Sequence, residues 1–440
     1  MEAKFTNYKL LIFLFLIINI LLIIFDCTRH TYIWVLLSFF IINLLTRVTL
    51  FIFSILVLDE EYDLNKLKEL ENFDLPVYSI LIPVYKEDFN VMRNLLNSIQ
   101  NFDYDLNKLD IIILLEEDDL DTINSVYRLR KLFNFTYIVV PKSEIKTKPN
   151  ALNYGLKYVK GKYLVIYDAE DIPEPYQLKK AVYEFSKLPD EYFCLQARLN
   201  YYNKDENMLT KCFSIEYSLW FNYFIKSFSE YFNFFAIGGT SNHFKVEKLK
   251  DINGWDAYNV TEDAEISVRA VFNGYKIKTL NSDTLEESVK CIGSWFNQRK
   301  RWIKGYMQTY LQYIIHPLLF IKKAGYKNFF LFNYIIGFSF IIPIFYMFFL
   351  IAYIFYFDSF SLMQLFVNTF IYYFYIYSTF TMNVIFIMTK NKVTFKNIRE
   401  IIFYILYSHV YIIAVYLALV ELIKKPFIWN KTTHNRSIYN

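Results

Sequence analysis

An α/β domain with a doubly wound sheet, embedded between transmembrane helices, is the architecture this sequence predicts. Three observations predict it. Long apolar stretches stand at both ends of the chain. The middle region alternates short β-branched runs with segments of helical spacing. Acidic residues gather just past those runs, where an open α/β sheet places its ligands. Composition agrees: the 440 residues are 55% hydrophobic and 20% charged, against roughly 45–50% and about 25% in ordinary globular chains. With 45 Phe and 39 Tyr but only 10 Gly and 10 Pro, collagen-like and disordered classes are excluded. A net charge of +4 gives no reason to expect a nucleic-acid partner.

The ends come first. Residues 8–25 and 32–58, the second interrupted only by Arg47, are each long enough to cross about 30 Å of hydrocarbon. A cleaved leader is the competing reading of the first. It lacks a small-residue cleavage site, and a second apolar stretch follows at once, so a hairpin anchor over 1–58 is expected. Three more segments lie near 329–357, 361–388 and 401–423, after an interfacial region at 306–328. Lys322, Lys323 and Lys327, then Lys390, Lys392, Lys396 and Arg399, place the middle region and the 389–400 loop in the cytoplasm. Lys424, Lys425, Lys431 and Arg436 place the tail, 426–440, there too. Two full crossings out of the three segments in 329–425 satisfy that rule; 401–423, with Ser408, His409 and several Tyr, is the first candidate to lie at the interface. The expected location is the cell (inner or plasma) membrane, multi-pass. Cys27, Cys194, Cys212 and Cys291 show no C-x-x-C spacing, which fits packed thiols in a reducing compartment.

Within 59–305 the runs 77–82, 110–115, 136–140 and 162–167 read as buried parallel strands, and 88–101, 121–133 and 150–159 as helices. Polar clusters follow: Tyr85-Lys86-Glu87, then Glu116-Glu117-Asp118-Asp119, Lys146 to Asn153, and Asp168-Ala169-Glu170-Asp171. Acids at consecutive strand ends suit a divalent cation bridging a diphosphate, since hard cations take carboxylate and phosphate oxygens. Each cluster alone could be a solvated loop. Thr261 stands where it can cap a helix that Gly274 ends, with Glu262 and Asp263 in the first turn. Asp263 could deprotonate a hydroxyl, or simply complement the helix dipole. Gln298, Arg301 and Trp302 share one helical face, which suits a sugar and a diphosphate; it also suits an aromatic–basic helix at a membrane surface.

Together these residues make the chain resemble the membrane-embedded family 2 glycosyltransferases, in particular the processive bacterial exopolysaccharide and cellulose-synthase-like β-glycan synthases. The resemblance rests on an ordered set: Y-D-A-E-D at 167–171, L-Q-A-R-L-N-Y-Y-N at 195–203, G-G-T-S-N-H-F at 238–244, T-E-D at 261–263 and Q-x-x-R-W running into R-W-I-K-G-Y-M-Q-T at 301–309. It covers about 75 to 430. It implies a GT-A catalytic domain, a nucleotide-sugar donor, UDP-linked, and Mg²⁺ or Mn²⁺. By position, Tyr85, Glu87, Glu116 and Asp118 would hold the nucleoside, and Lys148 and Asp168 the diphosphate. Asp168, Glu170 and Asp171 would hold the metal. Asp263, with Glu262, would be the general base, and Gln298, Arg301 and Trp302 would shape the acceptor end. Arg198, Asn242 and His243 would be further contacts on the acceptor side, and Asn200 a second-tier contact. The implied partners are a glycan acceptor, the lipid bilayer, and accessory export or regulatory subunits. The implied reaction is a single inverting displacement that extends a β-linked polysaccharide; addition of one sugar to a lipid or protein is the alternative. No extra C-terminal regulatory domain of the kind seen in bacterial cellulose synthases is expected. The motif at 426–434 resembles the C-terminal motif of the same subgroup, which implies a cytosolic gating segment over the active site.

Overall fold

The structure, a computed structural model, describes residues 2–57, 67, 75–143, 146–355, 361 and 395–426. The predicted 361–388 segment, apart from Ser361, and the tail motif beyond Pro426 lie outside them. Eight strands form one sheet: β1 Tyr78–Val84, β2 Leu109–Glu116, β3 Thr136–Val140, β4 Tyr163–Ile166, β5 Ile172–Pro173, β6 Tyr192–Tyr201, β7 Asn242–Lys245 and β8 Lys276–Glu286, in the order β3-β2-β1-β4-β7-β6-β8-β5. The helices are α1 Glu2–Ile24, α2 Asp26–Leu56, α3 Phe89–Gln100, α4 Leu120–Leu129, α5 Lys148–Gly155, α6 Gln177–Lys187, α7 Met208–Leu219, α8 Ile225–Phe232, α9 Val246–Asp251, α10 Glu262–Phe272, α11 Ile292–Ile314, α12 Pro317–Phe332, α13 Phe338–Phe355 and α14 Phe395–Lys424.

The four expected strands are present and mutually parallel, with β1 between β2 and β4. The sheet then departs from a purely parallel one, because β7 runs antiparallel between β4 and β6. Strands β6 and β8 pair parallel to each other and resume the original direction. Side-chain alternation divides the core. Ile80 and Ile82 of β1 pack with Met92, Leu95 and Ile99 of α3 on one face; Leu81 joins Leu152 and Leu156 beneath the other. Burial of each such side chain stabilises the fold by roughly 1.5–3 kcal/mol relative to exposure. The second core continues without a break into Leu50 and Phe51 of α2 and Phe320 of α12, so the domain is seated on the apolar helices.

Helix boundaries follow local chemistry. Asp88 caps α3 by accepting from the Asn90 amide at 2.8 Å. Asn207 and Thr210 make a reciprocal capping box on α7. Gly274, at φ +84°, ends α10 as expected. Thr261 does not cap α10 with its side chain as expected; the hydroxyl turns toward Asn259 and α11 instead.

Three described helical stretches are long and apolar enough to cross a membrane: Thr31–Leu56, Pro317–Ala352 and Ile402–Lys424. The apolar part of α1 is the shorter Ile12–Ile24. The segment expected at the interface, 401–423, lies within one unbroken helix, α14. Tyr407, Ser408 and His409 of that helix line a cavity. Helix α11 runs through residue 305 without interruption, and α12 is broken at Gly325, where φ is +83°.

Candidate active site

A cavity of about 610 Å³ opens at the carboxyl ends of β1, β2 and β4 and extends among α2, α11, α13 and α14. Its polar end is built by strand-end loops. Tyr85 and Glu87 follow β1, with Lys86 between them in the left-handed region at φ +54°. That conformation is held by the Lys86 amide, which donates to the buried Asp119 carboxylate. The Glu87 amide donates to the Thr122 hydroxyl at 3.1 Å. Tyr85 packs its ring under the Lys146 ammonium, 3.9 Å from the centroid.

Only the first acid of the run after β2 faces the cavity. Glu116 lines it, and burial, followed by the opposing pull of Lys146, leaves its carboxyl above the usual range. Glu117 accepts from the Lys142 amide, Asp119 braces the Tyr85 loop, and Asp118 is an exposed partner of Lys146 at 2.5 Å. Asp118 is therefore not brought to the donor end, because the chain turns outward after the strand.

Asp168 and Glu170 line the cavity; Asp171 does not. Its carboxylate points into the fold, accepting from the Asp168 amide at 2.8 Å and from the Thr240 hydroxyl. It shapes the loop instead of facing a ligand. Lys148, at the start of α5, donates to the Asp168 carboxylate and, at 2.8 Å, to the Gly239 carbonyl. Burial opposes its charge, but Asp168 and Glu262 outweigh that and raise its pKa. Glu286 and Glu287, at the end of β8, join the same wall. Burial, then repulsion from Asp168 and Glu170, pushes Glu286 far up; its Oε1 is buried without a partner among the described residues. Among the described residues no three ligating side chains already stand in metal-binding geometry. The donor set nevertheless suits a hard divalent cation: Asp168, Glu170 and Glu286 crowd negative oxygens that a cation would relieve.

The T-E-D loop faces this wall. Glu262 is pushed up to about 7 by burial and by Asp263 beside it. Asp263 is raised by burial, and the Ala264 amide, Lys148 and Arg301 oppose that rise. A Cβ at Gly239 would lie 3.4 Å from Asp263 Oδ2 and 3.8 Å from Lys148 Nζ, so this loop runs beside both side chains. Helix α11 braces the loop from behind. Gln308 Oε1 accepts from the Val260 amide at 3.2 Å, and Thr309 accepts from Asn259 at 2.8 Å. A Cβ on Gly305 would sit 2.7 Å from Thr261 Cβ, so only glycine fits there. The R-W-I-K-G-Y-M-Q-T motif thus doubles as the cradle of T-E-D.

Gln298, Arg301 and Trp302 all line the cavity, as their shared face predicts. Gln298 Oε1 is buried with no partner among the described residues, an acceptor available to a hydroxyl. Sequence reasoning missed Arg299 next to it. Its guanidinium meets Glu216 of α7 in a bidentate pair at 2.8 and 2.7 Å, and Tyr407 of α14 at 2.8 Å. It also stacks near Trp302, 4.6 Å from the ring centroid. No local signal announces that pair; its members are 83 residues apart in sequence. The Glu286–Glu287 wall was findable by the strand-end rule, had the alternating pattern of β8 been read as a strand.

Three acceptor-side expectations are corrected. His243 is buried in the sheet, with Nδ1 2.7 Å from the Tyr78 hydroxyl and Nε2 3.2 Å from Gln177, and burial lowers its pKa to about 3. It is a neutral core residue. Asn242 is buried and donates to the Gly238 carbonyl, shaping the glycine loop. Arg198 pairs with Asp283 at 2.7 Å and faces a separate cavity, and Asn200 bonds to Ser214 and Ser218.

A sheet of this topology with acids at its strand ends, a lysine poised between them and a carboxylate opposite defines a GT-A-type transferase. Residues 163–419 match the family model described as glycosyl transferase family group 2, and the chain belongs to that family. A "Probable glycosyltransferase YdaM" of Bacillus subtilis (strain 168) is 27% identical over 261 residues, which is 58% of this chain and 61% of that protein. The chain thus spans less than two thirds of that relative. The solved mannosyltransferase PcManGT from Pyrobaculum calidifontis, in complex with GDP-Man and Mn²⁺, shares the fold. Its TM-score is 0.56 at 14% identity, and the match covers 88% of this chain and 98% of that one.

Proposed function

We propose that this transferase extends a β-linked polysaccharide from a UDP-sugar and passes the product along its own membrane helices. The observation that carries this reading is the single cavity whose lining runs from Tyr85, Glu116 and Asp168 past Asp263 and Trp302 to Phe40 of α2, Ser339 of α13 and Tyr411 of α14. A single-addition enzyme needs the first part of that lining but not the last. In this reading the catalytic domain is cytoplasmic and the protein resides in the cell membrane.

Tyr85 and Glu87 hold the nucleoside, with Glu116 at the edge. Lys148 moves from Asp168 to the diphosphate and stabilises the charge that develops on the leaving group. Asp168 and Glu170, with Glu286 adjoining, are the residues that would hold Mg²⁺ or Mn²⁺, which when bound supplies further neutralisation of the diphosphate. Asp263 takes the proton of the acceptor hydroxyl as that oxygen attacks the anomeric carbon from the face opposite the nucleotide. Glu262 shares the buried negative charge and keeps the pair's proton affinity high. One displacement inverts the donor's configuration. Gln298 accepts from a sugar hydroxyl, and Trp302 offers its face to the terminal ring.

The test is direct. Membranes containing the protein are incubated with a panel of radiolabelled UDP-sugars and the product is sized. A long polymer from one of them supports the proposal. A single-sugar lipid or protein product would select the alternative.

A further inference from the structure

Arg198, displaced from the acceptor side, belongs to a second cavity of about 420 Å³. It adjoins the first, and Leu199 lines both. Its walls carry Arg198, Lys204 and Lys226, with Asp283 as the only acidic lining residue, and Tyr223 beside them. The opposite wall is the last turn of α2, including Ile55.

Two features distinguish this site from the cations that any membrane protein scatters near a bilayer surface. First, one donor is anchored and two of the donors keep hydrogen-bonding capacity. Arg198 sits on β6, and its Nε is held by Asp283 at 2.7 Å. Its two terminal amino groups, and the Lys204 ammonium, make no hydrogen bond or ion pair with any described residue. A guanidinium anchored by one edge presents the other as a fork that matches two phosphate oxygens. Second, the depth is right. The stretch Thr31–Leu56 is long and apolar enough to cross a membrane, and Phe53, Ile55 and Leu56 at its end are exposed. With α2 across the bilayer, the cavity would lie where the hydrocarbon stops and headgroups begin.

We propose that this cavity binds a phosphate group, that of an anionic phospholipid headgroup, between the end of α2 and the Arg198 strand. This rests on α2 spanning the bilayer, and not on the polysaccharide reading. The phosphodiester accepts from the Arg198 fork and from Lys204, while the acyl chains lie along the exposed apolar side of α2. The L-Q-A-R-L-N-Y-Y-N motif supplies the strand that carries Arg198, which no step of transfer uses.

The full chain, purified in detergent and placed in nanodiscs of phosphatidylcholine with and without phosphatidylglycerol, is assayed for retained lipid by native mass spectrometry. Phosphatidylglycerol is expected to stay bound, with about a tenfold or greater loss in the Arg198→Gln/Lys204→Gln double variant, since two charge-assisted hydrogen bonds disappear. Equal retention by wild type and the double variant overturns the proposal. If the double variant does not fold, Asp283→Asn decides: the amide oxygen still accepts from Arg198 Nε while the negative charge beside the fork is gone, so retention should increase, and unchanged retention overturns the proposal. Inorganic phosphate is the second arm. Displacement of the lipid by millimolar phosphate supports the phosphate contact. Phosphate binding that depends on Arg198 without any lipid retention overturns the lipid assignment.

Discussion

The two ends of the main cavity are built by different means. The end proposed to take the donor is made at strand ends, which bring the cavity-facing acids Glu87, Glu116, Asp168 with Glu170, and Glu286 with Glu287. The end proposed to take the acceptor is made by one long helix, α11, held in place by contacts from distant parts of the chain. Arg299 is gripped by Glu216 and Tyr407, Trp295 Nε1 donates to Tyr407 at 3.0 Å, and the fully buried Lys304 reaches Glu421 at 2.7 Å. The first end inherits its geometry from the sheet. The second depends on buried ion pairs with α7 and α14, and so on the membrane helices being in place.

The difference makes separate predictions for each end. At the donor face, Asp263→Asn should lower transfer by about 10²–10⁴-fold while nucleotide binding, measured by calorimetry, is retained. Turnover near wild type would remove the base from this account. At the acceptor end, Glu216→Ala leaves the Arg299 guanidinium buried beside Tyr407 alone. It should cost on the order of 3 kcal/mol, seen as a lowered thermal midpoint, whereas Asp118→Ala on the exposed loop should cost almost nothing. Equal effects would erase the distinction between the ends. Gly305→Ala sits where the two ends meet. The added methyl overlaps Thr261, so a loss of about 1–3 kcal/mol is expected, with a fall in kcat larger than any change in donor affinity.

The smallest effect is the dependence on pH. Glu262 lies at about 7 and Asp263 above its usual range, and the base must be deprotonated to act. Transfer should therefore fall as pH drops through about 7, as a property of the pair. A profile flat down to ordinary carboxylate values, about 4, would show that the pair is not buried during turnover.

The same contrast explains what was legible in the sequence. The four parallel strands declared themselves by short β-branched runs, and the strand-end rule then named Tyr85, Glu87, Glu116 and Asp168, which the fold brings to the wall of one cavity. It failed where a run of acids had to be resolved into individuals. Nothing in Glu116-Glu117-Asp118-Asp119 or in Asp168-Ala169-Glu170-Asp171 says which carboxylate turns inward; backbone direction after the strand decides. Strands β6 to β8 were hidden because β7 is short and β8 alternates polar with apolar residues. His243 and Asn242 looked like ligands because they are polar within a motif, yet they satisfy hydrogen bonds inside the fold. The Arg299–Glu216–Tyr407 cluster joins three helices that are remote in sequence, which periodicity cannot pair. Ser408 and His409, the residues that marked 401–423 as the first candidate for the interface, line the cavity.

The central claim is that donor site and membrane helices share one continuous cavity, and that product must enter its membrane arm. Ser339 of α13 lines the cavity and is not among the residues assigned to donor binding. The decisive measurement is the ratio of polymer formed to nucleotide released by Ser339→Trp in proteoliposomes. A bulky ring there should leave nucleotide release measurable while polymer length collapses. Wild-type chain length at a wild-type ratio would contradict the account.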